Sequence, residues 1–317
     1  MSAAAAASCP GNSDAIGVSR TLAVSAKDYA RLGHIQYRRS LPLDDHEVVL
    51  TFDDGPIPPY TDRVLDILAR NCVKATFFLV GRHTAANPAA ARRVLAAGHT
   101  IGNHSQNHPL HFEEISENHA EQEIDKGYRT LTAALGPDTV APFFRIPGLG
   151  RTHRVEDFAK AQSLIVWSAD AVADDWTPIN SGQVLHRALS RLEARGKGIL
   201  LLHDIQPRTV LMLPALLAEL KRRHFRIVHV VPDRGVEPAP PPVPSVDVEV
   251  AAKDGDQIGP AVPDKLGWPR VILTSGVGSE AEPIPLPLRR QLRLRHRHAR
   301  TAAVVVTADP VSVSISY

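Results

Sequence analysis

The sequence predicts an α/β fold built on a mostly parallel sheet, and two observations carry that prediction. Short apolar runs rich in Val, Ile, Leu and Phe alternate with longer amphipathic stretches from Asp45 to about Pro232. No Gly-rich loop follows the first of these runs, because Phe52 leads into Asp53-Asp54-Gly55-Pro56. That counts against a dinucleotide-binding version of such a sheet. The alternation alone fits either a barrel or an open doubly wound sheet.

Residues 47–52, 75–81, 100–104, 143–146, 163–168, 198–203 and 226–231 read as strands, each too short for a helix. Helical patterns lie between them. Residues 61–71 put Val64, Leu65 and Leu68 on one face, with Asp62 in the first turn. Residues 88–97 end at Gly98, a stop signal. Residues 113–135 form a long charged stretch, and 180–195 carry Val184, Leu185, Leu189 and Leu192 at helical spacing. Residues 210–223 close the series.

Composition sets the limits. A length of 317 residues and a hydrophobic fraction of 44% suit one large folded domain with appended sequence. The 36 basic and 34 acidic residues nearly balance, so nothing in the net charge of +2 draws the chain to nucleic acid. No run approaches the roughly 18 apolar residues of a membrane span. Met-Ser followed by five alanines lacks the basic and apolar regions of a secretory signal. Cys9 and Cys72 leave open one bridge or two free thiols.

These features divide the chain into an N-terminal extension (1–42), a folded domain (43–235) and a Pro-rich linker with a low-order basic tail (236–317). Twelve of the 26 prolines lie beyond Gly235, and Arg289 to Arg300 holds six arginines and two histidines. That run is a candidate contact for an anionic polymer or surface, set against a solvated extension.

The ionisable residues with chemical promise fall where strands end, which is where α/β barrels gather reactive groups. Asp53 and Asp54 follow the first strand, and His104 and His108 the third. Arg145 ends the fourth, Asp170 and Asp175 follow the fifth, and His203-Asp204 ends the sixth. His104-Ser-Gln-Asn-His108 is an i, i+4 pair whose imidazoles face one point if the segment makes a helical turn. With Asp54 it forms a three-ligand set with open positions, as catalytic zinc requires. Asp53 and Asp54 point apart, so one can bind metal while the other acts as base. His99 and His111, which flank the pair, receive no role.

These motifs resemble those of the NodB-homology polysaccharide deacetylases, carbohydrate esterase family 4. Thr51-Phe-Asp-Asp-Gly-Pro56 and His104-Ser-Gln-Asn-His108 match the first two signatures. Arg145-Ile-Pro147, Asp175-Trp176 and Leu201-Leu-His203 follow in the family's order. The resemblance implies a distorted (β/α) barrel of seven or eight strands and a divalent metal, zinc or else cobalt or another ion, on Asp54, His104 and His108. It also implies Asp53 as general base, Arg145 as the group holding it, and His203 as general acid with Asp175 beside it. Trp176 and Leu201 would line the acetyl slot, and a backbone N–H after Pro147 would help hold the oxyanion. The substrate expected is an acetylated amino-sugar glycan, such as a chitooligosaccharide or peptidoglycan, in an extracytoplasmic setting. An O-acetyl esterase, another amide hydrolase and a non-catalytic sugar-binding barrel are the alternatives.

Two departures from the family pattern stand out. Gly148 occupies a position where the family often has an aromatic residue. The fourth motif is stretched to Asp170-Ala-Val-Ala-Asp-Asp175-Trp176, so Asp170, Asp174 and Asp175 compete to partner His203, with Asp175 favoured because it precedes the Trp.

Overall fold

A computed structural model describes residues 9–233. The ordered elements are β1 (Arg20–Val24), β2 (Arg31–Leu32), β3 (Glu47–Asp53), α1 (Tyr60–Arg70), β4 (Thr76–Leu79), α2 (Gly81–Ala86), α3 (Pro88–Ala96) and β5 (Thr100–Asn103). They continue with α4 (Glu117–Leu135), β6 (Val140–Phe144), α5 (His153–Ala161), β7 (Ile165–Trp167), β8 (Ala171–Val172), α6 (Ser181–Arg195), β9 (Gly198–His203), α7 (Pro207–Arg222) and β10 (Arg226–Pro232). The expected linker and basic tail, 236–317, lie outside the described residues.

All pairings are parallel. Ladders join β8 to β9, β9 to β3, and then β4, β5, β6 and β7 in turn. Only Ser168, Ala169 and Asp170 separate β7 from β8, so the chain itself closes the ring. The result is the expected distorted barrel. β10 adds to the start of β3 and carries β1, while β2 lies along β7.

Strand periodicity explains what the barrel points inward. β3 is buried along its whole length, as a parallel strand covered on both faces must be. Val48, Leu50 and Phe52 face the outer helices, packing with Val64 and Leu68 of α1 and Leu213 and Leu217 of α7. Val49 faces the interior with Phe78, Phe143, Trp167 and Ile199. Side chains alternate along a strand, so Thr51 and Asp53 continue the interior face of Val49. On β9 the same rule places Ile199 inside, Leu200 and Leu202 outside, and Leu201 and His203 inside again. Asp53 and His203 are direct register partners at the barrel mouth.

The N-terminal boundary read from sequence needs correction. Residues 9–42 belong to the domain: β1 extends the sheet beside β10, β2 pairs with β7, and a disulfide joins Cys9 to Cys72. β1 is too short and too exposed to stand out as a strand before its partner is known. Two helices, α2 and α5, were also absent from the sequence reading, being short and weakly apolar. The long helix α4 starts at Glu117, because Ser116 caps it by accepting the His119 backbone N–H. α7 starts three residues early, with Pro207 in its first turn.

Candidate active site

At the C-terminal mouth of the barrel a cavity of about 300 Å³ is lined by Asp53, Asp54, His104, His108, Leu201, His203 and Trp176. Leu110, Ile146, Gly148, Leu149 and Val172 complete its wall. Asp53 is 2% exposed and accepts a 2.7 Å hydrogen bond from Arg145. That guanidinium is fully buried, and it also donates to Thr51 Oγ1 and to the Ser168 carbonyl while lying 4.2 Å from the Phe78 ring. Burial lowers the Arg145 pKa and the Asp53 charge opposes that shift. Arginine nonetheless stays protonated, and its hydrogen bond fixes the position of the Asp53 side chain.

Asp54 leaves the strand in a left-handed conformation, φ 78°, which turns its side chain away from that of Asp53. His83 Nδ1 holds the Asp54 carbonyl at 2.7 Å. The Asp54 carboxylate oxygen Oδ1 lies 3.1 Å from His108 Nε2 and 3.5 Å from His104 Nε2, yet makes no hydrogen bond.

The tautomer of His104 follows from its other nitrogen. Nδ1 lies 2.7 Å from the Arg145 carbonyl oxygen, which only accepts, so Nδ1 carries the hydrogen. A neutral His104 therefore turns the Nε2 lone pair toward Asp54 Oδ1. Two acceptors facing one another in a buried site call for a proton or a cation between them. Asp54, His104 and His108 bring their ligand atoms within 4.8 Å of one another, close enough to hold a metal ion.

The two histidines converge without a helical turn. Ser105 and His108 both adopt left-handed backbone, φ 67° and 54°, and Ser105 Oγ accepts the His108 N–H. α2 and α4 hold the loop between them. The amides of Gly81 and Arg82 donate to Ser105 and Gln106 carbonyls, and Glu123 binds Asn107 through backbone and side chain. α4 approaches closely because Gly127 has no side chain; a Cβ there would stand 2.3 Å from Asn103 Oδ1.

The three candidate aspartates separate cleanly. Asp175 accepts from His203 Nδ1 at 2.7 Å and from the His203 backbone N–H, and Thr209 of α7 donates to it. Asp174 pairs with Arg187 and Arg191 of α6. Asp170 accepts from the His34 amide, Ser40 and the Ile199 amide. Burial works to lower the His203 pKa, but Asp175, with Asp54 and Asp53 further off, raises it to about 9. The neighbouring Asp204 is buried and pushed up to about 7, chiefly by burial, with Thr61 Oγ1 as its donor.

Pro147 does not line the cavity. It is buried as the first residue of a short 3₁₀ turn, Pro147–Leu149, where its fixed φ starts the turn and its neighbours face the opening. Gly148 has φ 60°, and a Cβ there would stand 2.8 Å from the Leu110 carbonyl oxygen. An aromatic residue would therefore clash with the Leu110 loop as it is built here. His99 is buried and accepts the Ala75 amide, while His111 is exposed, and neither lines the cavity. Sequence reasoning missed His83, Leu110, Leu149, Val172 and Thr209. Only Leu110, a lone leucine between Pro109 and His111, carried a local signal.

The polysaccharide deacetylase profile matches residues 41–166. A peptidoglycan-N-acetylglucosamine deacetylase of Bacillus cereus is 31% identical over 209 residues, which is 64% of this chain and 94% of that protein. The chain belongs to the polysaccharide deacetylase family. Its enzyme class is that of a carbohydrate deacetylase. A chitooligosaccharide deacetylase of a Bradyrhizobium species is 35% identical over 202 residues, covering 58% of this chain and 89% of that one. Among solved structures, a peptidoglycan deacetylase of Bdellovibrio bacteriovorus superposes with a TM-score of 0.60 at 33% identity. That likeness covers 68% of this chain and 59% of the Bdellovibrio chain.

Proposed function

We propose that the chain hydrolyses N-acetyl groups on an amino-sugar glycan, using a divalent cation held by Asp54, His104 and His108. The observation that carries the proposal is the buried Asp54 Oδ1, which faces two imidazole nitrogens without a hydrogen bond. Two imidazoles and one carboxylate suit zinc, with cobalt as a substitute. When bound, such an ion supplies Lewis-acid polarisation and makes water more acidic.

The protein's own residues divide the remaining work. Asp53, held by Arg145, takes the proton of the attacking water. His203 is protonated at neutral pH and gives its Nε2 proton to the departing amine, while Asp175 fixes the ring and its charge. Leu201 and Trp176 enclose the acetyl methyl group, and the Gly148 N–H is the donor for the developing oxyanion.

Trp176 and Leu110 are half or more exposed at the rim and provide apolar surface for a sugar ring. The glycan class, chitooligosaccharide or peptidoglycan, follows from the relatives' activities. No helix among the described residues is long and apolar enough to cross a membrane. The Cys9–Cys72 bridge suits an oxidising, extracytoplasmic setting.

The test is acetate release by zinc-loaded protein from N-acetylglucosamine oligomers, from peptidoglycan and from an O-acetylated sugar. Release from an N-acetylated glycan supports the proposal. Release from the ester alone replaces it with the esterase reading, and sugar binding without release replaces it with a non-catalytic barrel.

A further inference from the structure

We infer that the loop of residues 33–40 positions the Pro147–Gly150 turn for the reaction, with Gln36 as the positioning residue. The inference rests on the deacetylase reading above, in which Gly148 supplies a backbone donor. The loop precedes residues 41–166, the part of the chain that the family profile matches.

The turn does not hold itself in an easy conformation. Gly148 and Leu149 are both left-handed, with φ 60° and 57°. Glycine tolerates this, whereas leucine adopts it only where its surroundings impose it. Within the turn, Leu149 and Gly150 amides bond to the Ile146 and Pro147 carbonyls. The Leu149 carbonyl is taken from outside, by Gln36 Nε2 at 2.6 Å. Arg151 then reaches back, donating to the Gln36 carbonyl at 3.2 Å and to Glu156 at 2.6 Å. Buried Glu156 also accepts from Tyr37 and pairs with Arg31, so the loop and the end of the turn share one ionic anchor.

The other side of the loop is fastened to the residues beneath the site. Gly33 packs so closely that a Cβ would stand 2.7 Å from the Ala169 nitrogen. The Ile35 amide donates to the Ala169 carbonyl, and Asp170 accepts from the His34 amide and Ser40 Oγ. The Ser168 carbonyl next to this anchor receives Arg145, which holds Asp53. Gln36 therefore links a segment locked to the frame of the barrel with a cavity wall whose backbone is strained. Its amide acts through the Leu149 carbonyl and need not touch substrate.

Gln36→Met keeps the length of the side chain and removes the donor. The expected result is a kcat about tenfold lower with KM changed by less than about twofold, the size of one lost hydrogen bond that acts on the transition state. The thermal midpoint should stay within about 3 °C of the wild type, while amide exchange across residues 148–150 becomes faster. Arg38→Ser, at an exposed residue of the same loop, should match the wild type in both readouts. An unchanged kcat, a rise in KM alone, or a loss of kcat that merely follows a loss of folded protein would overturn the inference. Wild-type protein that releases no acetate defeats the deacetylase reading and this inference together. Active wild type with an ordinary Gln36→Met variant defeats this inference alone.

Discussion

At the start of β3, Glu47 is 1% exposed and accepts hydrogen bonds from Arg20 Nε, a second Arg20 nitrogen and the Asp44 amide. Just past the other end of the same strand, the Asp54 side chain is largely buried, and its Oδ1 accepts none. The contrast continues around the barrel. At the start of β5, Thr100 donates to the Val230 carbonyl and His99 accepts the Ala75 amide. At the end of β5, His104 and His108 turn their Nε2 atoms toward a carboxylate. Glu47, His99 and Thr100 find their partners within the fold, whereas Asp54 Oδ1 at the opposite end has no hydrogen-bond donor. A buried acceptor left without a donor is a candidate for binding a ligand.

Substitutions at the two ends should separate activity from stability. The largest effect is expected for Asp53→Asn, which keeps the shape and removes the proposed base: kcat should fall about 10³-fold in acetate-release assays. A fall of less than about tenfold would place the base elsewhere.

Next in size is the pH dependence of the His203–Asp175 pair in chelator-treated protein. The folded pKa of about 9 lies above the unfolded value, so the stabilisation is complete below about pH 6.5 and disappears as pH rises through 9. The thermal midpoint of wild type should exceed that of Asp175→Asn most near pH 6, by the equivalent of about 3 kcal/mol at most. The gap should shrink by pH 9.5. A gap independent of pH would mean that Asp175 acts only through the Thr209 and backbone hydrogen bonds.

The smallest effect is expected at the opposite end. Glu47→Gln should cost about 2 kcal/mol in denaturant unfolding, because it weakens the charge-assisted bonds from Arg20. Its kcat should be unchanged. A change in kcat at full folding would end the division of labour between the two ends.

Much of this was legible in the sequence because strand alternation and strand ends are local signals. Seven of the eight strands from Glu47 onward lie in short runs rich in apolar residues, the two-residue β8 being the exception, and Asp53, His104, Arg145 and His203 sit at or just beyond strand ends. What escaped depended on long-range partners. β1 and β2 are strands only because β10 and β7 accept them. Thr209 stands 34 residues from Asp175, and nothing in its surroundings marks it as that carboxylate's donor. The convergence of His104 and His108 came from left-handed residues, which spacing alone does not show. The choice among Asp170, Asp174 and Asp175 needed Arg187, Arg191 and the 33–40 loop to be placed first.

The central claim is that the Asp54 carboxylate, whose Oδ1 has no hydrogen-bond donor, is one arm of a metal site on which deacetylation depends. Its most direct test is a calorimetric zinc titration of chelator-stripped protein, with acetate release from N-acetylglucosamine oligomers measured on the same samples. The account predicts about one zinc per chain and restored activity for the wild type, with both lost in Asp54→Asn. Full activity in the stripped protein, or zinc binding and turnover unaffected by Asp54→Asn, would contradict it.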